Sequence, residues 1–256
     1  MPNQLELRST FQLTGESISN IGVPSEAILE NPYKKRKDQY PENLQETHKK
    51  NNFAVATTIS QSIFNGLGKD LRNSTESYCS KKLASKINKS FNQNLNHVSI
   101  KDIEEQLNGY DFNCENSFDE GVSTKFCVKK GAHSGHVIFH IPAFVPQNDL
   151  KVPKDATNFK ICARLIAVSD FEKNGNDFHT TNIRQHGQTF SFQTTMLPLL
   201  RITTQPITAQ LRINNPGFSP VGMSSVVVLG VKYYTYDKKK FTQLEECTRT
   251  KILKVY

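Results

Sequence analysis

The sequence predicts an α+β chain, mainly β, in which a small helical region precedes an antiparallel, immunoglobulin-like β-sandwich of about seven strands. Three observations carry the prediction. Apolar residues recur with period two through most of residues 110–256. Clusters of turn residues separate the alternating runs. No helical segment lies between those runs, which excludes a parallel βαβ arrangement, since parallel strands need a long crossover. The chain accordingly divides into an extended arm with a proline-rich basic connector (1–42), a helical region (43–109) and the sandwich (110–256).

Residues 3–21 read as two short strand-like pieces. Leu5 and Leu7 alternate with polar neighbours, as do Phe11 and Leu13, before the turn at Thr14-Gly15. A strand needs neighbours for its backbone groups, so this arm is expected to pair with the β region, with its own hairpin mate or with another subunit. Pro24, Pro32 and Pro41 make residues 22–42 a connector. From about Asn43 the period becomes helical. Val55, Ile59, Ile63, Leu67 and Leu71 recur every four residues and form one stripe, weakened at its end by Gly66 and Gly68. Asn73 with Glu76 resembles a capping arrangement for a second helix carrying Cys79, Leu83 and Ile87. Ser99 with Asp102 opens a third, short helix through Ile103 and Leu107, stopped by Asn108-Gly109. Helices this short need packing partners.

After Tyr110 the alternation begins. Val137, Phe139, Ile141, Ala143 and Val145 form one predicted strand. Phe159, Ile161, Ala163, Leu165 and Ala167 form the next, and Phe190 with Phe192 a shorter one. Ile207, Ala209, Leu211 and Ile213 give the cleanest alternation, followed by Val227, Leu229, Val231 and Tyr233. A turn at Asp237-Lys238-Lys239-Lys240 leads to a last strand through Ile252 and Val255. Further turns fall at residues 146–149, 174–177 and 214–217.

The 256 residues are long enough to bury a sizeable core, and 36% hydrophobic with 22% charged residues is a globular composition. No run of about 18 apolar residues predicts a membrane helix. The opening Met1 to Leu7 has no basic or apolar signal region, so a cytoplasmic location is expected. Cys79, Cys114, Cys127, Cys162 and Cys247 are odd in number and never spaced CxxC, which argues for reduced, mostly buried thiols over zinc ligands or a disulfide framework. The net charge of +8 is concentrated in part at Lys34, Lys35, Arg36 and Lys37, with Lys49 and Lys50 nearby. That run fits nucleic acid or an acidic partner. Asp38, Glu42 and Glu46 interrupt it, and a solvated segment is the simpler reading.

Candidate chemistry is sparse. His133, His136 and His140 invite a metal reading. In a strand His136 and His140 would stand about 13 Å apart, whereas nitrogens sharing one zinc lie about 3 Å apart. Only His133 and His136 could converge, and two ligands are too few. Asp170 and Glu172 are the densest carboxylate pair, and they fit a turn role better than acid–base work. No GxGxxG, GxxxxGK[ST], HExxH or GxSxG occurs. Lys232, Tyr233, Tyr234 and Tyr236 with Lys238, Lys239 and Lys240 form the best aromatic–basic patch for nucleic acid. Tyrosine is also a favoured strand residue, and an ordinary sheet face explains the same pattern. No catalytic, cofactor-binding or metal-binding residue is assigned, and no cofactor, membrane or small-molecule partner is expected.

Several segments resemble a family of uncharacterised bacterial proteins. They are Ile141-Pro142-Ala143-Phe144-Val145-Pro146, Asn158-Phe159-Lys160-Ile161, Asp170-Phe171-Glu172, Leu229-Gly230-Val231-Lys232-Tyr233-Tyr234, Lys251-Ile252-Leu253-Lys254-Val255 and Asp111-Phe112-Asn113. Phe11-Gln12-Leu13-Thr14-Gly15 and Asn51-Asn52-Phe53-Ala54-Val55-Ala56 are similar to the family's early strand and helix start, although the early segment here holds less glycine and fewer aromatics. The resemblance covers most of the chain and is one of core and turn positions. It implies the helical-then-β layout and no activity. The expected function is therefore a non-enzymatic structural or interaction protein that self-associates as a homo-oligomer, through its amino-terminal strand segment, or binds another protein. The alternatives are a nucleic-acid-binding module using Lys34 to Lys37, and a ligand- or carbohydrate-binding sandwich.

Overall fold

The computed structural model describes residues 44–76, 78–91, 96–113, 115–132, 135–175, 177–213 and 221–256, with side chains from residue 51 onward. The strand-like reading of 3–21 and the connector at 22–42 lie outside the described residues.

The four-residue stripe becomes two helices. α1 (Leu44–Gly66) and α2 (Gly68–Arg72) meet at Leu67. Gly68 adopts a φ of +74°, which a side chain would resist, and this breaks the helix there. Val55, Ile59, Ile63, Leu67 and Leu71 are all buried. α3 (Cys79–Ser90) buries Cys79, Leu83, Ala84 and Ile87. Its start departs from the expected cap. Tyr78 precedes the helix without a side-chain cap, and Glu76 instead accepts the Glu115 amide through Oε1, 3.3 Å away. A 3₁₀ turn (Lys101–Ile103) and α4 (Glu104–Leu107) form the third helical piece, stopped by Gly109 at a φ of +75°.

The described residues of the remainder are mostly antiparallel strand: β1 (His97–Val98), β2 (Cys127–Lys130), β3 (His136–Ile141), β4 (Asn158–Ser169), β5 (Phe171–Asn174) and β6 (Asp177–Thr180). They continue with β7 (Thr189–Gln193), β8 (Leu197–Pro198), β9 (Ile207–Arg212), β10 (Met223–Asp237) and β11 (Lys240–Val255). Two single helical turns, α5 (Phe118–Gly121) and α6 (Pro146–Asp149), interrupt them. The predicted strand through Val145 stops at Ile141. Pro142 and Pro146 lack ladder donors, and the Asp149 carboxylate accepts the Val145 amide at 2.7 Å to close α6. The turn at residues 174–177 joins β5 to β6, a hairpin whose alternation is too short to read from sequence.

Three sheets result, with orders β11-β10-β4-β7 (β8 also on β4), β2-β3-β9 and β1-β5-β6, all antiparallel. The first sheet is covered on both faces. Ile161, Ala163, Leu165, Ala167, Val227, Leu229, Val231 and Tyr233 share one cluster with Val137, Phe139 and Leu211 of the β2-β3-β9 sheet. Cys162, Ile166, Val168, Val226 and Val228, one residue out of phase, share a second with the helices. Helical residues before 110 and strand residues after it therefore share one of two core clusters, with the first sheet between the two. Burying the Tyr233 phenol pushes its pKa up to about 12.

Close approach fixes the helix layer. A Cβ on Gly66 would stand 2.7 Å from Ile166 Cδ1, and one on Gly230 2.7 Å from Leu71 Cδ2. Substituting Gly66→Ala should gain helix propensity of about 1 kcal/mol and lose more, about 1–3 kcal/mol, to overpacking. Urea denaturation is expected to show net destabilisation. The double variant Gly66→Ala/Ile166→Ala should lose less than the sum of the two single variants. Strict additivity would show that the contact does not limit the packing.

Candidate functional site

His136 and His140 lie on the outward face of β3, opposite Arg212 and Thr208. His140 Nδ1 is 3.0 Å from Thr208 Oγ1, and the His136 ring fills the space that a Cβ on Gly131 would need. His133 lies outside the described residues. Among those described, no group of three His, Cys, Asp or Glu residues is close enough to share a metal ion. The described cysteines are free thiols, with Cys79 and Cys162 buried, Cys247 half-buried and Cys127 exposed.

Asp170 and Glu172 do not work as a pair. The buried Asp170 carboxylate accepts the Ile100 amide through Oδ1 at 2.9 Å, anchoring the turn before α4. Glu172 is exposed between His97 and His179 of the flanking strands. The fold also gathers Ser169, Asp170 and His186, a set sequence spacing did not reveal. It is not a nucleophilic triad. His186 Nδ1 accepts the Ser169 main-chain N–H at 3.1 Å, and burial holds its pKa down. The Ser169 hydroxyl bonds to the Asp170 carbonyl at 2.9 Å, and Asn182 N–H donates to it at 2.9 Å. No base reaches that hydroxyl proton, so these bonds lock the junction of β4 and β5 and activate nothing.

Between α2 and the first sheet sits an ion cluster. The Asp70 carboxylate accepts from Arg164 at 2.5 Å and from Lys232 at 2.8 Å. Arg164 stands on β4 and Lys232 on β10, both on the helix-facing side. Lys232 is almost fully buried, whereas the Asp70 side chain is 34% exposed. Burial pushes the Asp70 carboxyl up, but the Lys232 hydrogen bond and the Arg164 charge outweigh it and hold the group below its usual range. Burial likewise pulls the Lys232 ammonium down, and Cys162 with Asp70 reverses that. The neighbouring Cys162 thiol is pushed up by burial, opposite to what a nucleophile requires. The cluster clamps α2 onto the sheet.

Two surfaces remain for recognition. Ile141, Phe144, Leu197, Pro198 and Ile207 line an apolar groove of about 260 Å³, with Leu200 and Ile202 on its lip. Its wall is fastened in place: Phe144 accepts the Thr204 amide at 2.8 Å, Gln147 donates to the Leu199 carbonyl at 2.9 Å, and Arg201 donates to Gln147 at 3.0 Å. Leu200 is 46% and Ile202 69% exposed. The second surface is the β10–β11 hairpin tip. Lys238 and Lys239 form its two-residue turn at φ of +46° and +64°. Tyr236 and Phe241, paired across the strands with rings 4.7 Å apart, are both exposed.

No family model, no curated protein and no solved structure matches this chain. No helix among the described residues is long and apolar enough to cross a membrane. Sequence reading found the hairpin and missed the groove. The signal for the groove was Leu199, Leu200 and Ile202, apolar residues in a run that neither alternates nor repeats helically. It had no means of joining Asp70 to Arg164 and Lys232 across the chain.

Removing the Asp70 charge leaves a buried ammonium with no carboxylate. Asp70→Asn should cost about 2 kcal/mol, below the 3–5 kcal/mol of a fully buried pair because Asp70 is one-third exposed. Adding Lys232→Met should recover most of it. The folded pKa lies below the unfolded 3.8, so the contribution is present above about pH 4 and is lost as pH falls through the folded value. Denaturant titrations from pH 6 to 3 should show a shallower acid slope for Asp70→Asn than for the parent chain.

Proposed function

We propose that the chain is a non-enzymatic interaction protein that self-associates through the apolar groove beside β8. The observation that carries this reading is the exposure of Leu200 and Ile202 on the lip of a groove whose wall is already fastened. Apolar surface held open to water is stabilised when a second surface covers it. The occupant is a strand-like segment of a second copy. Leu5, Leu7, Phe11 and Leu13 supply apolar side chains at alternate positions, the pattern of a strand added to a neighbour. The scaffold is an immunoglobulin-like sandwich acting in the cytoplasm. Four strands (β11, β10, β4, β7) facing three (β2, β3, β9) support the seven-strand reading, and the helical layer is an addition to it.

Light scattering on the full chain is expected to give a dimer or larger species. Ile202→Glu, and separately deletion of residues 1–22, should each give a monomer with an unchanged circular dichroism spectrum. A parent chain that is already monomeric at high micromolar concentration overturns the proposal.

The hairpin tip favours a second reading, binding of single-stranded nucleic acid. Left-handed conformations cost non-glycine residues about 1–2 kcal/mol each, and this kind of turn is usually Asn-Gly. Lysines held there keep two charges beside an exposed aromatic pair that suits base stacking. The other basic run, Lys34 to Lys37, lies outside the described residues. Replacing Lys238 and Lys239 by Asn-Gly should stabilise the fold by about 1–2 kcal/mol and weaken oligonucleotide binding. Binding undetectable at about 50 mM salt overturns this reading, since phosphate contacts are strongest at low salt.

A further inference from the structure

The loop at residues 181–188 closes over the end of β4. Gly187 N–H donates to the Ala167 carbonyl at 2.8 Å, and Ala167 N–H donates to the Gln188 carbonyl at 2.8 Å. Within the loop the Asn182 carbonyl accepts the Gln185 and His186 N–H groups at 3.3 and 3.1 Å. These main-chain bonds are indifferent to pH. One tie differs. His186 Nδ1 accepts the N–H of Ser169, a fully buried residue, at 3.1 Å. The same ring meets the buried Phe171 edge-on, with centroids 5.8 Å apart.

A neutral imidazole carries one N–H and one acceptor nitrogen, whereas an imidazolium carries two N–H groups. Nδ1 is the acceptor here, so the ring hydrogen is on Nε2. A second proton enters only at Nδ1, the atom that faces the Ser169 N–H. Protonation and this bond therefore exclude each other. Turning the ring over restores nothing, because an imidazolium offers no acceptor in either orientation. A protonated ring that stayed in place would leave a buried main-chain N–H without a partner, which is unfavourable.

The ionisable groups on the surrounding elements do not offset this. Asp170 turns its carboxylate to the Ile100 amide. Glu172 and His179 are exposed, on the opposite face of the β5–β6 hairpin from Phe171. Lys173 lies beyond Phe171 on β5, and Arg184, in the loop itself, is exposed. α1 between residues 51 and 66 and β10 between residues 223 and 231 hold no ionisable side chain. Burial is what moves the His186 pKa, downward from 6.5. We infer that the 181–188 loop is an acid-released latch, held on the end of β4 by neutral His186 and let go when that ring takes up a proton. The released ring titrates near 6.5 and the latched ring lower. Closure is thus fully supported above about pH 6.5 and weakens as pH falls from there to the latched value, below which nothing further is lost.

Hydrogen exchange of the full chain at about pH 7.5 and 5.5, corrected for intrinsic rates, tests the latch. The Ser169, Gln185, His186 and Gly187 amides should lose about three- to tenfold of their protection at the lower pH, while Ala163 and Val228 in the β4–β10 ladder keep theirs. His186→Asn retains an acceptor oxygen near the Nδ1 position and takes up no proton, so its loop should stay protected at both values. His186→Leu has no acceptor, and its loop should exchange at both values as the parent does at the lower one. If His186→Asn loosens the loop outright, its pH response still decides, because that response must be absent. An unchanged loop in the parent at the lower pH, an equal loss across the β4–β10 ladder, or a pH response that survives in His186→Asn overturns the inference.

Discussion

The fold depends on one ladder, the antiparallel pairing of β4 with β10 across twelve consecutive positions from Met223 opposite Ser169 to Tyr234 opposite Asn158. Both faces of this pair are buried, one by the helices and one by the β2-β3-β9 sheet. Every backbone polar group in the pair must then be met within the sheet, because water reaches neither side. That requirement explains why polar residues are tolerated there only with partners in place. Arg164 and Lys232 turn toward the helix layer and meet Asp70, and Ser169 at the end of β4 is bonded from several sides.

The helix layer is shaped by what this ladder leaves for it. Gly66 and Gly230 allow backbone to approach side chains of the opposing layer, and Gly68 turns α2 so that Asp70 reaches its two cations. Packing at close range and one clamped carboxylate thus act on the same short helix. The loop leaving that helix, at residues 73–76, lines a cleft together with Asn113, Glu115, Asn116, Glu245 and Glu246.

Much of the framework was legible because period and burial coincide. The stripe Val55, Ile59, Ile63, Leu67 and Leu71 is buried, and the alternations in β3, β4, β9 and β10 mark the face between the sheets. The opposite face of β4 and β10 was written just as openly, in Val226-Val227-Val228-Leu229. A continuous apolar run is the signature of a strand covered on both sides, and reading it as alternation hides the helix contact. Short strands such as β1, β5 and β8 offer too few residues for any period. The groove, the cleft and the ion cluster join residues 30 to 170 positions apart, and no local pattern encodes such meetings.

The same central ladder has a kinetic face. β10 meets β11 through a two-residue turn, a contact that closes almost no loop. Its pairing with β4 must first close residues 170–222, and the α1 contact to β4 spans about a hundred positions. Loop closure grows only slowly in cost with length, by about 0.6 kcal/mol per doubling. Contacts of this range nevertheless come after local ones and slow the search for the native state. The hairpin is the natural seed, and β4 is the strand whose arrival lets both cores form at once. Until it arrives, one edge of β10 and both its apolar faces stand open, which makes that interval the one in which the chain is most exposed to pairing with the wrong partner.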